Sequence, residues 1–457
     1  MFFKQLVKSA SRRYWDKFPN IICSRQFDAR SYSLQLFRIA SGSSYQPISK
    51  PLEKVSLPPA IQNLKPGELT AFACGPHHCA AVVNQLLYTW GSNSFGQLGP
   101  VNTGFELMES SGDDEIVETP FLVPGAFNLP SQDSFPSTHV TLAAGHFHTI
   151  AFDHSNVKMW TWGAGILGRG SEVYDPLPAP ITFFADANIK IRQVLSAGDY
   201  SLAVQDAKNP DRSLVFIWGY LPSSDMDGET QAKANFPIVI RDLASDNVRH
   251  LAAIPTGFSA LVAKSNSHAS FTWRLKWFGS TLFNINQSRP YYPYFQENTD
   301  QLHSYDFAPS ISIPLPFQTP NDEPFQLTVG AGMAGIFKSG CFLLIDLSCS
   351  CLGDEPKISV AGFTGIESAT LTDEGLSFIR VSNSEAKLYH LSKSCLQPKL
   401  QAQPGLNLPT FDELVDTLSQ DGNPILETGY SLPLQGSQNL SKVLRYEYGN
   451  IWTLTTK

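Results

Sequence analysis

The chain has 457 residues with a formal net charge of −8, and 42% of its residues are hydrophobic. Its acidic balance and its lack of long Lys/Arg runs argue against a surface that follows nucleic-acid phosphates, so we predict no nucleic-acid partner. Charged residues make up only 16%, and glycine and proline number 32 each, a composition that favours an all-β fold with many turns.

Residues 1–32 differ from the rest of the chain in charge. They contain seven Lys and Arg residues but only Asp16 and Asp28, a composition typical of a cleaved mitochondrial presequence. The stretch "RSYS" (Arg30–Ser33) is similar to a presequence cleavage pattern, with the cut between Tyr32 and Ser33. We therefore expect a mitochondrial protein of the matrix or of the matrix side of the inner membrane. A basic tail on a cytosolic protein is the alternative.

The chain contains no run of about 18 apolar residues, so we predict no transmembrane helix and expect any contact with the inner membrane to be peripheral. Its seven cysteines are an odd number without the spacing of a disulfide framework. This pattern fits reduced thiols in the matrix or cytosol.

The stretch "FACGPHHCAAV" (Phe72–Val82) places two cysteines and two histidines close together, as in a zinc or copper site. The stretch "AAGHFHTIAF" (Ala143–Phe152) repeats its pattern. Gly75 then aligns with Gly145 and His78 with His148, whereas no sulfur recurs in the second copy. We therefore interpret the cysteines as small buried residues of a repeated strand and predict no metal ligands here.

Further copies of the same unit follow along the chain. They lie at Val194–Gly219, Leu251–Ser280, Leu327–Asp346, Ile366–Ser392 and, as a first half only, Lys442–Lys457. Each clear copy ends in Trp-Gly, where the glycine is expected to turn the chain with a positive φ. We assign a structural role in the repeat to Gly75, His78, Trp90, Gly91, Gly145, His148, Trp162, Gly163, Gly198, Trp218 and Gly219.

The missing half of the last copy has a counterpart at the other end of the sequence. "LFRIASGSS" (Leu36–Ser44) runs parallel to "LYTWGSNSF" (Leu87–Phe95). A ring closes without exposed sheet edges when the first and last segments of a chain share one sheet. We therefore predict a seven-bladed β-propeller of residues 33–457, with four-stranded blades and a last blade built from 33–60 and 440–457. Six blades is the alternative count.

Two stretches carry a family resemblance. "YTWGSNSFGQLG" (Tyr88–Gly99) and "AAGHFHTIAF" (Ala143–Phe152) resemble the two halves of the regulator-of-chromosome-condensation repeat. The resemblance implies a seven-bladed propeller whose members act as guanine-nucleotide exchange factors, scaffolds or assembly factors. No exchange-active residue of the family is matched onto a position of this chain.

Sequence motifs of catalysis are absent from the chain: it has no P-loop, no GxSxG elbow and no HExxH. We predict no enzyme activity and no cofactor. "GAGMAG" (Gly330–Gly335) has the glycine spacing of a dinucleotide loop but lies in a β repeat, so turn glycines are the preferred interpretation. "CSC" (Cys349–Cys351) and "GDDE" (Gly112–Glu115) are interpreted as solvent-facing loops rather than copper or calcium sites.

Three ranges are longer than a blade turn requires, and we interpret residues 100–137, 281–324 and 396–440 as insertions. The middle range contains "RPYYPYFQ", in which aromatic residues and prolines alternate. Aromatic and arginine side chains are enriched in interface hot spots, so we predict partner binding by a set of five residues. They are Arg289, Tyr291, Tyr292, Tyr294 and Phe295. The alternative is that this segment folds over the outer edge of a blade.

The presequence together with the repeat makes the chain similar to the mitochondrial members of the family. A fungal branch of these is implicated in assembly of respiratory complex III, the cytochrome bc1 complex. The resemblance therefore implies a noncatalytic assembly factor or scaffold whose partners are respiratory subunits or assembly intermediates. The alternative is an exchange factor for a mitochondrial GTPase or a factor associated with the mitochondrial ribosome.

Overall fold

A computed structural model describes the chain at residues 32–39, 52–54, 59, 69–75, 77–100, 116–123, 140–206, 213–222, 233–255, 257–265, 270–279, 304–305, 311–320, 326–330, 332–338, 341–347, 358–359, 366–372, 375–382, 385–392, 430–432, 439–445 and 450–456. These residues form seven β-sheets, six with four strands and one with five.

The strands are numbered along the chain, and each sheet forms one blade. Blade 7 combines the two ends of the chain: β1 (Tyr32–Ile39), β2 (Leu52–Lys54), β28 (Asn439–Arg445) and β29 (Asn450–Thr456). Blades 1 and 2 follow the N-terminal strands: β3 (Leu69–Cys74), β4 (His78–Val83), β5 (Leu86–Ser92) and β6 (Ile116–Leu122), then β7 (Val140–Ala144), β8 (His148–Asp153), β9 (Lys158–Ile166) and β10 (Glu172–Ile181).

Strand β18 lies between two strands of blade 4 in the sequence but belongs to blade 3. It joins the outer edge of that blade, parallel to β14. Blade 3 contains β11 (Ile191–Ala197), β12 (Tyr200–Gln205), β13 (Val215–Tyr220), β14 (Lys233–Ile240) and β18 (Ser304–Tyr305). Blade 4 contains β15 (Asn247–Ile254), β16 (Gly257–Ser265), β17 (Ser270–Gly279) and β19 (Ile311–Pro320).

The remaining two blades have short outer strands of two and three residues. Blade 5 contains β20 (Gln326–Gly330), β21 (Met333–Lys338), β22 (Cys341–Asp346) and β23 (Ile358–Ser359), and blade 6 contains β24 (Ile366–Thr372), β25 (Gly375–Ser382), β26 (Glu385–Ser392) and β27 (Tyr430–Leu432). A four-residue helix, α1 (Phe183–Asp186), and a 3-10 turn, Arg241–Leu243, follow the outer strands of blades 2 and 3.

The innermost strands of successive blades contact one another from blade 1 to blade 7, which arranges the blades in a ring. Blade 7 closes it, because β1 pairs antiparallel with β29 from Tyr32↔Thr456 to Arg38↔Asn450, and β1 also contacts β3 of blade 1. The predicted all-β propeller, closed by its N- and C-terminal segments, is confirmed. The strand that closes the ring, β1, begins at Tyr32, the residue just before the predicted cut between Tyr32 and Ser33.

Each blade is built from hairpins of short apolar strands. The three strands β4, β8 and β7 are buried along their whole length, as expected of sheets covered on both faces. Turn geometry depends on glycine at Gly163, which has φ +105° and would place a Cβ 2.1 Å from the Phe147 carbonyl oxygen. Gly91 and Gly219 share this positive φ, as the Trp-Gly repeat predicts.

Among the described residues, hydrophobic clusters occupy spaces between blades. One runs from blade 2 to blade 5 and another joins blades 1 and 2. Trp90, Trp162 and Trp218 are among the largest fully buried side chains of the described residues. Aromatic side chains of this size bury about 150–250 Å² each, so these tryptophans dominate the packing of the first three blades.

The copies traced in the sequence correspond to the inner three strands of blades 1 to 6, and the half copy at Lys442–Lys457 corresponds to the inner two strands of blade 7. The ranges interpreted as insertions contain outer strands: β6 lies within 100–137, β19 within 281–324 and β27 within 396–440. The "GAGMAG" stretch is the hairpin between β20 and β21, with Gly332 at φ +74°. The "CSC" and "GDDE" stretches lie outside the described residues.

Candidate functional site

One end of the propeller concentrates the polar and exposed apolar groups of the repeat. At this end the second strand of each blade begins and the third strand ends. We call this end in blades 1 to 3 the upper face and define it by residues 75, 77–78, 92–99, 145–148, 164–177, 198–200, 219–220 and 233–236.

Beneath the upper face, a buried hydrogen-bond ladder crosses from each blade to the next. The residue that starts the second strand faces the glycine after tryptophan in the third strand: His78 faces Gly91, His148 faces Gly163, and Tyr200 faces Gly219. The His78 ring nitrogen Nε2 lies 2.7 Å from Thr149 Oγ1 in blade 2.

The next two steps of the ladder follow the same geometry. His148 Nε2 lies 2.8 Å from Ser201 Oγ and 3.2 Å from Ser196 Oγ, both in blade 3. Tyr200 then donates its hydroxyl to the backbone carbonyl oxygens of Ile254 and Gly257 in blade 4, each 2.7 Å away. The repeated histidines therefore serve as links between blades.

The ladder histidines are neutral. Burial lowers the pKa of His148 to about 4, although the nearby carboxylate of Asp199 opposes this. Burial, together with the charges of His148 and other neighbouring histidines, lowers the pKa of His78 well below its usual value. The His148–Ser201 contact has the atoms of a base and a nucleophile, but both residues are buried and no substrate can reach them. We interpret it as structural.

The loop after each Trp-Gly covers the following blade. The Gln97 carbonyl oxygen accepts hydrogen bonds from Trp162 Nε1 at 3.0 Å and from Thr149 Oγ1 at 2.8 Å. Gly168 occupies the equivalent place over Trp218, where a Cβ would lie 2.9 Å from the indole ring. The "GQLG" stretch is thus a clasp between blades 1 and 2.

A polar and aromatic cluster lies above the ladder. His146 Nδ1 lies 3.5 Å from Asp199 Oδ1 across the blade 2–blade 3 boundary. His77 stacks on Phe147 with ring centroids 5.7 Å apart and an interplanar angle of 3°. Burial, with the charge of His146, lowers the pKa of His77 to about 3. The cluster therefore holds the turns of three blades together with one partly exposed carboxylate, Asp199.

Burial alone would raise the pKa of Asp199. Its hydrogen bond with His146 and the charges of His146, His148 and His77 outweigh that effect and hold the pKa below its usual value. Nearby, burial and the hydrogen bond to Glu172 raise the pKa of Tyr220. The carboxylate of Asp199 is therefore ionised and the phenol of Tyr220 neutral at physiological pH.

Large apolar side chains are exposed at the rim of the upper face. Tyr174 and Leu177 on β10 are 52% and 53% exposed, and Phe236 on β14 is 52% exposed. A β-bulge between Asp175 and Ala179 turns Leu177 outward. An exposed apolar group beside polar side chains is the usual mark of a protein-binding surface.

Charged groups flank this apolar rim. Arg169 Nη1 donates to Asp175 Oδ2 at 2.9 Å, and exposed Glu172 and Lys233 lie at the starts of their strands. The rim therefore combines apolar area with charges of both signs, as protein interfaces do. Among the described residues, no group of three or more His, Cys, Asp and Glu is arranged to hold a metal ion.

The four side chains of the motif that resembled a metal site do not converge. His78 bonds to blade 2, His77 stacks on Phe147, and the two cysteine sulfurs contact each other, with Cys74 and Cys79 both buried. In the parts of the chain that the structure describes, no helix is long and apolar enough to span the bilayer.

The eleven predicted repeat residues are all placed near the ladder or in the turns of blades 1 to 3. The five predicted partner-binding residues, 289–295, lie outside the described residues and stay a prediction. Sequence reasoning missed Tyr174, Leu177 and Phe236. A signal for the Tyr174 and Leu177 strand was present in "EVYDPLPAPI", because its three prolines are typical of an edge strand.

Comparison with known proteins agrees with the repeat. The family profile described as Regulator of chromosome condensation (RCC1) repeat matches residues 85–152, which run from β5 of blade 1 to β8 of blade 2. The solved structure of yeast RCC1 (Prp20) bound to Kap60 superposes with a TM-score of 0.55 at 14% identity, covering 96% of this chain and 93% of that one. At this identity the likeness shows the fold.

Three curated relatives align with part of the chain. The E3 ubiquitin-protein ligase HERC2 of Homo sapiens is 27% identical over 225 residues, covering 48% of this chain and 4% of HERC2. The RCC1 domain-containing protein RUG3, mitochondrial, of Arabidopsis thaliana is 24% identical over 225 residues, covering 44% and 45% of the two chains. The secretion-regulating guanine nucleotide exchange factor of Bos taurus is 25% identical over 200 residues, covering 42% and 37%. The alignments span less than half of each relative.

Proposed function

We propose that this propeller, in which residues 85–152 match the RCC1 repeat, is a noncatalytic scaffold that binds protein partners on the upper face of blades 1 to 3. The observation that carries the proposal is the exposed trio Tyr174, Leu177 and Phe236 on neighbouring outer strands. Large apolar side chains displayed on a rigid sheet are the anchors that protein partners bury.

The scaffold role also fits the chemistry of the site. The groups that resemble catalytic ones, the ladder histidines and serines, are buried and hydrogen-bonded to one another. A general acid or base has to come within hydrogen-bond reach of a substrate proton, and these groups face the interior. The exposed rim offers apolar and ionic contacts instead.

We further propose that the scaffold acts in mitochondria, in the assembly of respiratory complex III. The composition of residues 1–32 supports import, and the mitochondrial relative RUG3 of Arabidopsis thaliana adds weak support. The partners would be respiratory subunits or assembly intermediates met in the matrix or at the matrix side of the inner membrane. The native-gel pattern of respiratory complexes from cells lacking the protein tests this role: selective loss of mature complex III supports it, and an unchanged pattern refutes it.

Cleavage at Tyr32–Ser33 is compatible with ring closure. Removing Tyr32 takes away the Tyr32↔Thr456 pair, and β1 keeps its pairing with β29 from Ser33↔Thr455 onward. N-terminal sequencing of the mature protein should therefore find Ser33. A mature protein that begins within residues 36–39 would lack most of the closing strand and would contradict the proposal.

A second candidate function is regulation of a mitochondrial GTPase as an exchange factor. The relative from Bos taurus, a secretion-regulating guanine nucleotide exchange factor, supports it over 42% of this chain. The matching test is release of labelled guanine nucleotide from candidate mitochondrial GTPases. Accelerated release that depends on the upper face favours exchange, and parallel loss of all complexes with organelle-encoded subunits on the native gel favours a ribosomal role.

A further inference from the structure

The innermost hairpin of blade 1 contains a pair of cysteines in direct contact. Cys74 is the last residue of β3 and Cys79 the second residue of β4, and they face each other in the register. Their Sγ atoms are 2.6 Å apart. Both are buried, with exposed fractions of 3% and 0%.

The position of the pair in the hairpin suits a covalent bond. The Gly75 amide donates to the His78 carbonyl oxygen at 2.8 Å, so Cys74 and Cys79 form the following pair, which lacks hydrogen bonds between its backbones. Directly opposite residues of this kind lie about 4.5 Å apart between Cα atoms. That distance falls within the range of about 4.4–6.8 Å found in disulfides.

We propose that Cys74 and Cys79 form a reversible disulfide that locks the inner hairpin of blade 1. In the reaction, one cysteine thiolate attacks a low-molecular-weight disulfide and releases one small thiol. The second cysteine then displaces the other small thiol from the mixed disulfide. One small disulfide is consumed, the two cysteines lose two electrons and two protons, and two small thiols are formed.

The environment of the pair makes the reaction slow in the closed fold. Burial raises the pKa of the Cys79 thiol, although its hydrogen bond with Cys74 opposes this. The thiolate is the attacking species, so exchange requires the hairpin to open and expose a sulfur. Oxidation would therefore proceed during folding or during local opening of blade 1.

The bond would act on the upper face. The turn between the two cysteines carries His77, which stacks on Phe147, and is followed by His78, which bonds to Thr149. Locking the hairpin fixes the residues through which blade 1 contacts blade 2. The equivalent pair in blade 2 is Ala144 and Thr149, so the lock is restricted to one blade of the ladder.

Mass spectrometry of the full chain tests the proposal. The protein is equilibrated with defined ratios of glutathione disulfide to glutathione, quenched in acid, denatured and alkylated. The tryptic peptide of residues 55–158 contains Cys74 and Cys79 and no other cysteine. At oxidising ratios this peptide should lose two hydrogen masses and take up no alkylating agent, and dithiothreitol should restore two alkylated sites.

Two outcomes would overturn the proposal. One is two alkylated cysteines in this peptide at every ratio, also after unfolding and refolding in the same buffer. The other is a stable glutathione adduct on either cysteine without ring closure. As a second readout, oxidation should raise the melting temperature of the wild-type chain and leave that of the double variant Cys74→Ala/Cys79→Ala unchanged. An equal rise in both would assign the stabilisation to other cysteines.

Discussion

Blades 1 to 3 and blades 4 to 6 share one backbone plan but are joined to their neighbours by different chemistry. In the first group the second strand begins with His78, His148 or Tyr200, and each reaches into the next blade. In the second group the same register position holds Gly257, Met333 or Gly375. The polar ladder therefore ends where Tyr200 meets the backbone of blade 4.

The second strand's next residue, and the residue that it faces in the third strand, differ between the two groups in the same way. Trp90, Trp162 and Trp218 face Cys79, Thr149 and Ser201 in blades 1 to 3. In blade 4 Phe258 faces Phe278, with stacked rings 4.8 Å apart, and in blade 5 Ala334 faces Ile345. Hydrogen bonds from the start of the second strand therefore join blades 1 to 4 beneath the upper face, whereas blades 5 and 6 are linked by a different bond, from the Leu371 amide to Thr328 Oγ1 at 3.0 Å.

The largest effect is expected from the tryptophans of the ladder. Trp162→Ala should cost about 3–5 kcal/mol of unfolding free energy, measured by urea denaturation, because it empties a closely packed site. Trp162→Phe should cost about 1 kcal/mol more than Trp218→Phe, because Trp162 Nε1 donates to the Gln97 carbonyl oxygen while Trp218 Nε1 has no hydrogen-bond partner among the described residues. Equal costs for the two Phe variants would show that the hydrogen bond from Trp162 to Gln97 does not stabilise the contact between blades 1 and 2.

The pH dependence of stability should come from the histidines of blades 1 and 2. His148 has its pKa lowered to about 4 when folded against about 6.5 when unfolded, so the unfolded chain binds the extra proton between these values. Stability is therefore full above pH 6.5 and falls toward pH 4, by about 3 kcal/mol for this residue. His148→Gln should remove that part of the loss.

Tyr200→Phe provides the control for the pH measurement, since it changes the ladder without changing a group that titrates between pH 4 and 7. Its profile should run parallel to that of the wild-type chain. If His148→Gln also left the profile unchanged, the histidine would be protonated in the folded protein and the ladder would need another explanation.

Tyr200→Phe also tests the last step of the ladder. The variant keeps the ring but leaves the carbonyl oxygens of Ile254 and Gly257 without the hydroxyl donor. We expect a loss of about 1–3 kcal/mol in unfolding free energy. Tyr174→Phe, at a half-exposed side chain, should stay within about 0.5 kcal/mol of the wild-type chain. Similar losses in both would show that the blade 3–blade 4 joint does not depend on this bond.

The smallest effect on stability is expected at the rim. Tyr174→Ser/Leu177→Ser should change the unfolding free energy by no more than about 1 kcal/mol, because both side chains are half exposed. Leu122→Ser is the matched control, since Leu122 is 42% exposed but faces Tyr88 at the opposite end of its blade. A large loss of stability in the double variant would show that the rim is packed rather than available to a partner.

Much of this architecture follows from the sequence. The recurrence of glycine, histidine and Trp-Gly locates the inner strands, and the likeness of residues 36–44 to residues 87–95 locates the closing strand. The features that the repeat does not predict depend on contacts between residues of different blades. The local sequence does not show that the rings of His78 and His148 lie within hydrogen-bond distance of the hydroxyl groups of Thr149 and Ser201 in the next blade. It also does not show the bulge between Asp175 and Ala179, where Leu177 is exposed.

We propose that the upper face of blades 1 to 3 is the surface on which the protein binds its partners. The most direct test returns Tyr174→Ser/Leu177→Ser or Leu122→Ser to cells lacking the protein, at matched protein levels, and follows mature complex III on native gels. We expect that cells given the Leu122→Ser protein recover mature complex III and that cells given the double variant do not. Full restoration by the double variant would contradict the proposal.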